Sequence, residues 1–568
     1  MKKTYAFAFA SGLFLLGSCA SDAPEMVNTP GAEEGGEYFL RIELPTATAT
    51  RGDNDPYVTD VNNASFAFFD ANGNWIATRR VGYGTTGTVQ NDGGVISWLD
   101  SDEQGADAHS AAARCAVLQL SSIPAYVECL VNANDEATAI EDSMYETKRK
   151  ESRTHRSATG KNYLKMSTAV YFPESVTAST AAVYRTAIDP EKNLFTDEDK
   201  AKDLSETGKE PLKIYVEPIV ANVKVTEEIA ATINNIDQVK EGEATVDEVK
   251  DATVSFVPEY YFLTGYQMEG YTVKQLTTWG ALPTAIQGWA GRVNEDNEYS
   301  FNWVGSNPSD DVTYAKWDNV VKGNSQYYCF GTAANANRYK MPTTGTPELQ
   351  FFPFENYGGQ TLAEHTSIVV AGKYTVMGKN EAGDDVNLAY GATQKAEDEA
   401  WNNDAANADK KKRTIETEGT FYLVGIGEQF QVYASEREVL ESFNLSHETD
   451  ELVLDGVVGN DYSGWSGKLV VKGKTYLPKV IKYNGGYGYY SRAILRATIG
   501  TTNYNAIVRN TQYHVNIKSI SGMGVGIPGP NDQIVPLDPP SPKDESTYLH
   551  MAVIINPWVE VGKQDVEW

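Results

Sequence analysis

The sequence predicts an all-β fold, and three observations carry that expectation. Tyr is abundant, at 33 of 568 residues, and it recurs with Thr and Val in short runs that suit a pleated sheet. Apolar and other residues alternate with period two in EYFLRIEL near the start and in YLHMAVII near the end. Asn72-Gly73 lies between two alternating runs, where it signals a hairpin turn. A chain of this length holds about two to four domains.

The first element is a targeting segment. Met1-Lys2-Lys3 supplies a positive start, Ala6 to Leu16 is apolar but too short to span a bilayer, and the run ends in LLGSC. A small pair followed by cysteine has the form of a bacterial lipobox, with cleavage before Cys19 and lipid on its thiol. An ordinary signal peptide with an incidental cysteine is the alternative. Residues 1–18 are therefore the expected signal peptide. The remaining apolar runs are too short for a transmembrane helix.

Residues 20–36 are polar, acidic and rich in Gly and Pro, the composition of a flexible tether. The first strand follows. Tyr38, Leu40, Ile42 and Leu44 fall on one face, and Phe39, Arg41 and Glu43 on the other, so a half-buried strand is expected. Directly after it comes TATATRGDNDPY, with Arg51, Gly52 and Asp53. An isolated arginine among small residues has three readings: a plain loop, an Arg-Gly-Asp attachment triplet, or a place to be cut.

ASFAFFDANGNWIATRRV, CAVLQLSS, AYVECLVNAND, NYLKMSTAV and AAVYRTAI continue the strand pattern. DANGN offers Asp70, Asn72 and Asn74 to a cation. Trp75 stands where a calcium loop needs glycine and Val81 where it needs glutamate, which speaks against calcium. A charged stretch, Asp189 to Glu210, precedes a domain boundary expected near residue 212. The second half has more strands, among them ATVSFVPEYYFL, TSIVVAGKYTVM, GTFYLVGI and TQYHVNIKSI. Residues 392–418 form a polar insertion, expected on the surface and partly helical.

The end of the chain changes character. GVGIPGPNDQIVPLDPPSPKDES carries six prolines, so 526–547 is expected to be an extended, semi-rigid linker outside any sheet or helix. A strand pattern then resumes in 548–568, with Leu549, Met551, Val553, Ile555, Val559 and Val561 on one face. Pro557 interrupts it, which predicts a bulge or two short strands. An apolar strand on a stiff leash suits a partner outside its own domain.

Composition narrows the function. The net charge is −29 and the pI about 4.7, so a polyanion would be repelled; the basic runs Lys148 to Arg156 and Lys410 to Arg413 are short and polar, and nucleic acid is not an expected partner. The acidic balance fits an exported, self-repelling surface. Beyond Cys19 there are Cys115, Cys129 and Cys329, an odd number that excludes a full disulfide framework. Cys129 alternates with Val127 and Val131 and reads as a buried thiol; a Cys115–Cys129 bridge is the alternative. There is no G-x-S-x-G, H-E-x-x-H, P-loop or C-x-x-C, and the six histidines show no metal-ligand spacing. No catalytic residue, metal or cofactor is expected, and His514 reads as a strand-packing residue.

Taken in order, VRNTQYHVNIKSI (Val508 to Ile520), the Pro-rich linker and MAVIINPWVEV (Met551 to Val561) resemble the close of the fimbrillin family of Bacteroidales, the type V pilins, and within it the shaft subunits of short fimbriae. FPFENYGGQ with SIVVAGKY, IYVEPIVANVKV, AYVECLVNAND and YLKMST resemble further segments; Pro218 stands where that family would have arginine. The resemblance implies two β-sandwich domains of transthyretin-like topology, 52–212 and 213–525. It implies a lipoprotein precursor held in the outer membrane by its lipid alone. Residues 19–51 would be removed by an arginine-specific protease cutting between Arg51 and Gly52. The strand Tyr38–Leu44 would leave with them, and the strand in 548–568 of an identical subunit would replace it, head to tail, in an adhesive, virulence-associated surface filament. Accessory anchor and tip proteins would complete it. Cutting at Arg51 would split the Arg-Gly-Asp triplet. An anchor or tip subunit of the same fimbriae, and a surface glycan-binding lipoprotein, are the other readings; the last leaves the Pro-rich linker without a purpose.

Overall fold

The computed structural model describes residues 37–45, 57–58, 61, 63–82, 95–99, 113–132, 148–149, 154–156, 162–168, 185–214, 216–242, 250–268, 270–271, 312–324, 339–343, 348–356, 362–426, 429–453, 467–471, 474–499, 502–527, 529, 531–536 and 548–557. Within them the fold is all-β, as the alternation predicts, with short helices at the margins.

The first half builds two sheets face to face. Its strands are β1 (Tyr38–Pro45), β2 (Asn63–Phe69), β3 (Trp75–Gly82), β4 (Val95–Leu99), β5 (Ala113–Leu120), β6 (Tyr126–Val131), β7 (Met166–Thr168), β8 (Leu194–Phe195), β9 (Leu212–Lys213) and β10 (Val216–Pro218). One sheet runs β8-β1-β5-β4, with β9 also on β1; the other runs β10-β7-β6-β2-β3. Leu40, Ile42 and Leu44 of β1 share one core with Phe66 and Phe68 of β2, Leu118 of β5 and Cys129 of β6. The two inner faces thus make a β-sandwich.

The expected hairpin joins β2 to β3. Gly73 takes φ 84°, which a side chain disfavours. The Asp70 carboxylate accepts from the backbone N–H of Asn72 and of Asn74, both at 2.8 Å, and from the Asn74 amide at 2.9 Å. These bonds hold its pKa below the ordinary carboxylate value, the Asn74 side-chain bond first.

The second half builds a larger sandwich from β11 (Asn222–Glu227), β12 (Ile233–Glu241), β13 (Asp251–Thr264), β14 (Leu349–Phe351), β15 (Ser367–Lys379), β16 (Phe421–Ile426), β17 (Gln429–Tyr433), β18 (Lys474–Tyr483), β19 (Tyr487–Ala493), β20 (Thr511–Ser521) and β21 (Tyr548–Pro557). A four-stranded sheet, β14-β11-β20-β21, faces an eleven-stranded one that includes β18-β16-β17-β12-β13-β15-β19. Val223 and Val225, Val515 and Ile517, and Phe256, Tyr374 and Tyr490 meet in their common core.

Three sequence expectations change. Pairing switches from the first group of strands to the second between Pro218 and Asn222, because β9 and β10 still bond to β1 and β7; the change lies past residue 212. The charged stretch Asp189 to Glu210 is no spacer: it supplies a four-residue helix at Pro190–Asn193, β8, which pairs with β1, and the helix α1 (Glu198–Asp203), whose Ala201 packs with Phe39 of β1. The first part of the Pro-rich segment is docked rather than free. Val525–Gly526 pairs with Gly488 and Tyr489, and Gln533–Ile534 with Ala315 and Lys316. Ile527, Ile534 and Val535 are buried, and the Tyr489 hydroxyl donates to the Val535 carbonyl at 2.9 Å. The strand pairs fall on Val525–Gly526 and Gln533–Ile534, none of them proline, so the docked ladders need no bond from a proline nitrogen.

The polar insertion carries the expected helix, α2 (Ala392–Asn403). Its buried Asp398 accepts from the Tyr390 hydroxyl at 3.1 Å and pairs with Arg413 at 3.3 Å and Arg437 at 3.5 Å.

Candidate functional site

β1 occupies the middle of its sheet rather than an edge. On one side it runs antiparallel to β5 over its whole length, from Tyr38 opposite Leu120 to Pro45 opposite Ala113. On the other side Phe39 and Leu40 face Phe195 and Leu194 of β8, and Ile42 and Glu43 run parallel to Leu212 and Lys213 of β9. The Ile214 N–H donates to the Glu43 carbonyl at 3.0 Å. A strand bonded on both sides leaves two unpaired ladders when it goes.

Its core face is as the alternation predicts. Leu40, Ile42 and Leu44 are 0% exposed, and Tyr38 packs at the margin of the same cluster. The other face corrects the half-buried expectation: Phe39, Arg41 and Glu43 are also buried. Phe39 packs with Val117, Phe195 and Ala201, under α1. The Arg41 guanidinium lies 3.6 Å from Glu43 and 3.7 Å from the Cys115 Sγ, and its Nη1 donates to the Lys202 carbonyl at the end of α1. A charged residue on a strand reads as solvent-facing when the covering element is a short charged helix far along the chain; this is why the sequence hid it.

The thiols follow from the same parity. Cys129 faces the sandwich interior, where burial pushes its pKa up. Cys115 lies on the opposite side of β5 from Ala116 and Leu118, toward Arg41. Neither is in a disulfide and both are buried, Cys129 toward the sandwich interior and Cys115 on the outer side of its strand.

The C-terminal strand β21 lies at the edge of its own sheet, antiparallel to β20. Met551, Val553 and Ile555 stand opposite Ile517, Val515 and Tyr513, and Leu549 opposite Ile520. Those β20 residues are buried, while Met551 and Val553 are only partly so. The register shift falls between Ile517 and Ser519 of β20, and Pro557, the last described residue of β21, stands opposite Thr511. His514 sits on the outer side of β20, half-buried, with Nε2 2.8 Å from Gln512 Oε1. Cys19, Arg51, Gly52, Cys329, Val559 and Val561 lie outside the described residues.

The segments FPFENY and VRNT, far apart in sequence, meet. Glu355 pairs with Arg509 at 2.8 Å. The Asn356 amide donates to the carbonyls of Gly265 at 2.8 Å and Glu364 at 3.0 Å.

Comparison with known proteins adds the following. Residues 481–564, from the end of β18 through β21, match the family model "Major fimbrial subunit protein type IV, Fimbrillin, C-terminal". No curated protein matches the sequence. Among solved structures, the chain is similar to a candidate cell adhesion protein from Bacteroides eggerthii, at 11% identity and TM-score 0.31, over 93% of this chain and 98% of that one. It is similar to the tip fimbrial protein Mfa3 from Porphyromonas gingivalis, with C-terminal truncation, at 10% identity and TM-score 0.27, over 92% and 100%. A fimbrial assembly protein from Parabacteroides distasonis gives 8% identity and TM-score 0.25, over 62% and 98%. Over residues 481–564 the chain thus matches the C-terminal model of the fimbrillin family, the family that its sequence resembles.

Proposed function

We propose that the chain is a fimbrial shaft subunit that polymerises by exchanging its first strand for the last strand of a neighbour. The precursor is exported as a lipoprotein through Cys19 and held at the outer membrane by that lipid. An arginine-specific protease cuts between Arg51 and Gly52, and residues 19–51 leave with β1. The C-terminal strand of an identical subunit then refills the groove. Two domains, with the part of the Pro-rich segment beyond Pro536 as linker and 548–568 as donor, organise the exchange. The mature chain stands in a filament with anchor and tip partners.

The observation that carries this reading is the position of β1. It is central, bonded on both sides, buried on both faces, and followed six residues after Pro45 by Arg51. The three fully buried side chains on its core face, Leu40, Ile42 and Leu44, contribute about 1.5–3 kcal/mol each, about 4.5–9 kcal/mol together. That is comparable with the whole stability of a domain, so an emptied groove requires a new strand. β21 matches the need: it has the same alternation, and as an edge strand it gives up one ladder on leaving. A ladder built from main-chain bonds, with alternate side chains filling pockets, is β-strand addition. A head-to-tail contact of this kind does not close and yields a filament.

The test is a denaturing gel run without boiling, together with N-terminal sequencing of protein from intact cells. A ladder and a start at Gly52 are expected. A single band with a lipidated start at Cys19 would return the chain to an anchor or a glycan-binding lipoprotein.

A further inference from the structure

The helix α1 has a feature that strand exchange alone leaves unexplained. It is short, and its N-terminus is satisfied locally: the Asp197 side chain accepts from the N–H of Asp199 at 2.9 Å and of Lys200 at 3.2 Å. Its C-terminal carbonyls have no helical partners. The Lys200 carbonyl is taken by Leu204 and Ser205 of its own chain end. The Lys202 carbonyl is taken by Arg41 of β1, a cation at the negative end of a helix.

The rest of α1 depends on β1 in the same way. Leu204, at its end, has φ 51°, an unfavourable conformation for a side chain of its size. Leu204 and Ala201 pack on Phe39, Val117 and Phe195. Phe39 and Arg41 both belong to β1, so its departure removes an apolar contact and the cap at one stroke.

We propose that Arg41 is a latch that fixes α1 over the outer face of the first strand, so that loss of β1 also releases α1 and opens the groove from outside. The latch gives an incoming strand access from the outer face as well as from the ends. The consequence for exchange rests on the proposed function, whereas the latch itself is a property of the uncut chain and is tested there.

The test uses the full-length precursor carrying Arg41→Met, which keeps an unbranched apolar stem and loses every donor. Backbone hydrogen exchange is followed in 198–204 and in 113–120. Alkylation of Cys115, which lies under the Arg41 guanidinium on the α1 side, is followed beside that of Cys129 inside the sandwich. The expected result is exchange about tenfold or more faster in 198–204, as loss of a charged hydrogen bond implies. Exchange in 113–120 stays as in the parent chain, Cys115 becomes reactive and Cys129 stays silent. Unchanged protection of 198–204 would overturn the latch. So would equal acceleration in 198–204 and 113–120, which would make Arg41 a general stabiliser. An unreactive Cys115 would overturn the opening of the outer face. None of these readings needs a polymer, so a missing gel ladder would count against strand exchange and leave the latch standing.

Discussion

Arg509 grips Glu355 across 154 residues of chain: its Nε donates to Oε2 at 2.8 Å, and its backbone N–H donates to Oε1 at 3.2 Å. Arg509 is buried. The contact fixes the start of β20, and the next residue, Asn510, donates its N–H to the Val220 carbonyl at 3.0 Å, where the two groups of strands meet. Glu355→Ala leaves a buried guanidinium without its carboxylate. The expected cost is about 3–5 kcal/mol, read as a lower urea midpoint with an unchanged slope. A change below about 1 kcal/mol would mean that water replaces the carboxylate.

Cys19→Ala is expected to abolish lipid attachment and surface delivery of the precursor, because the apolar run before it is only a signal. Growth with a labelled fatty acid reads this directly. Label retained by the mutant precursor would remove the lipoprotein step.

Arg51→Ala is expected to leave β1 in its groove. Uncut monomers then accumulate and filaments disappear under electron microscopy. Normal filaments built from uncut subunits would separate the arginine from assembly.

Glu227, at the end of β11, accepts from the Tyr261 hydroxyl, and burial raises its pKa from 4.5 to about 6. The folded state therefore holds the proton more tightly than the unfolded state. Its contribution is fully present below about 4.5 and is lost as pH rises through about 6. The difference in melting temperature between the parent chain and Glu227→Gln is expected to change across that window, the parent losing ground as pH rises. A constant difference from pH 4 to 7 would assign the stability elsewhere.

The alternation in β1 and β21 made their core faces legible, since a period of two survives any tertiary context that buries one face. The hairpin at Asn72-Gly73 was legible for a local reason, the positive φ at Gly73. What sequence reading missed was cover supplied from a distance. Arg41 looks solvated until α1, more than 150 residues on, is seen to accept its hydrogen bond. Asp197, an N-cap ahead of Glu198 and Asp199, was the one local signal for that helix. The docked part of the Pro-rich segment was obscured because prolines dominate its composition, while Ile527, Ile534 and Val535 do the packing.

The C-terminal strand gives the sharpest test of assembly. In the single chain β21 lies on β20, with Val553 opposite Val515, so it already has a place in its own domain. Two features leave it free to move. Among the described residues it is an edge strand, bonded on one side, and Val553 and Met551 are only partly buried where Leu40 and Ile42 are 0% exposed. At its own edge, an aspartate at 553 reaches water and the apolar loss is about 1 kcal/mol, a fraction of full valine burial. That lowers the melting temperature of a domain of this size by about 2–4 °C. In the groove of β1 the same carboxylate would be enclosed on both faces without a partner, which is strongly disfavoured. Val553→Asp is therefore expected to give a trimmed, folded monomer that melts close to the parent chain and forms no ladder. Deletion of Tyr548 to Trp568 is expected to do the same, with a larger fall in melting temperature. A monomer that melts more than about 10 °C lower after Val553→Asp, or one that still forms a ladder, would show that the strand belongs to its own domain, and donor-strand assembly through this end of the chain would have to be given up.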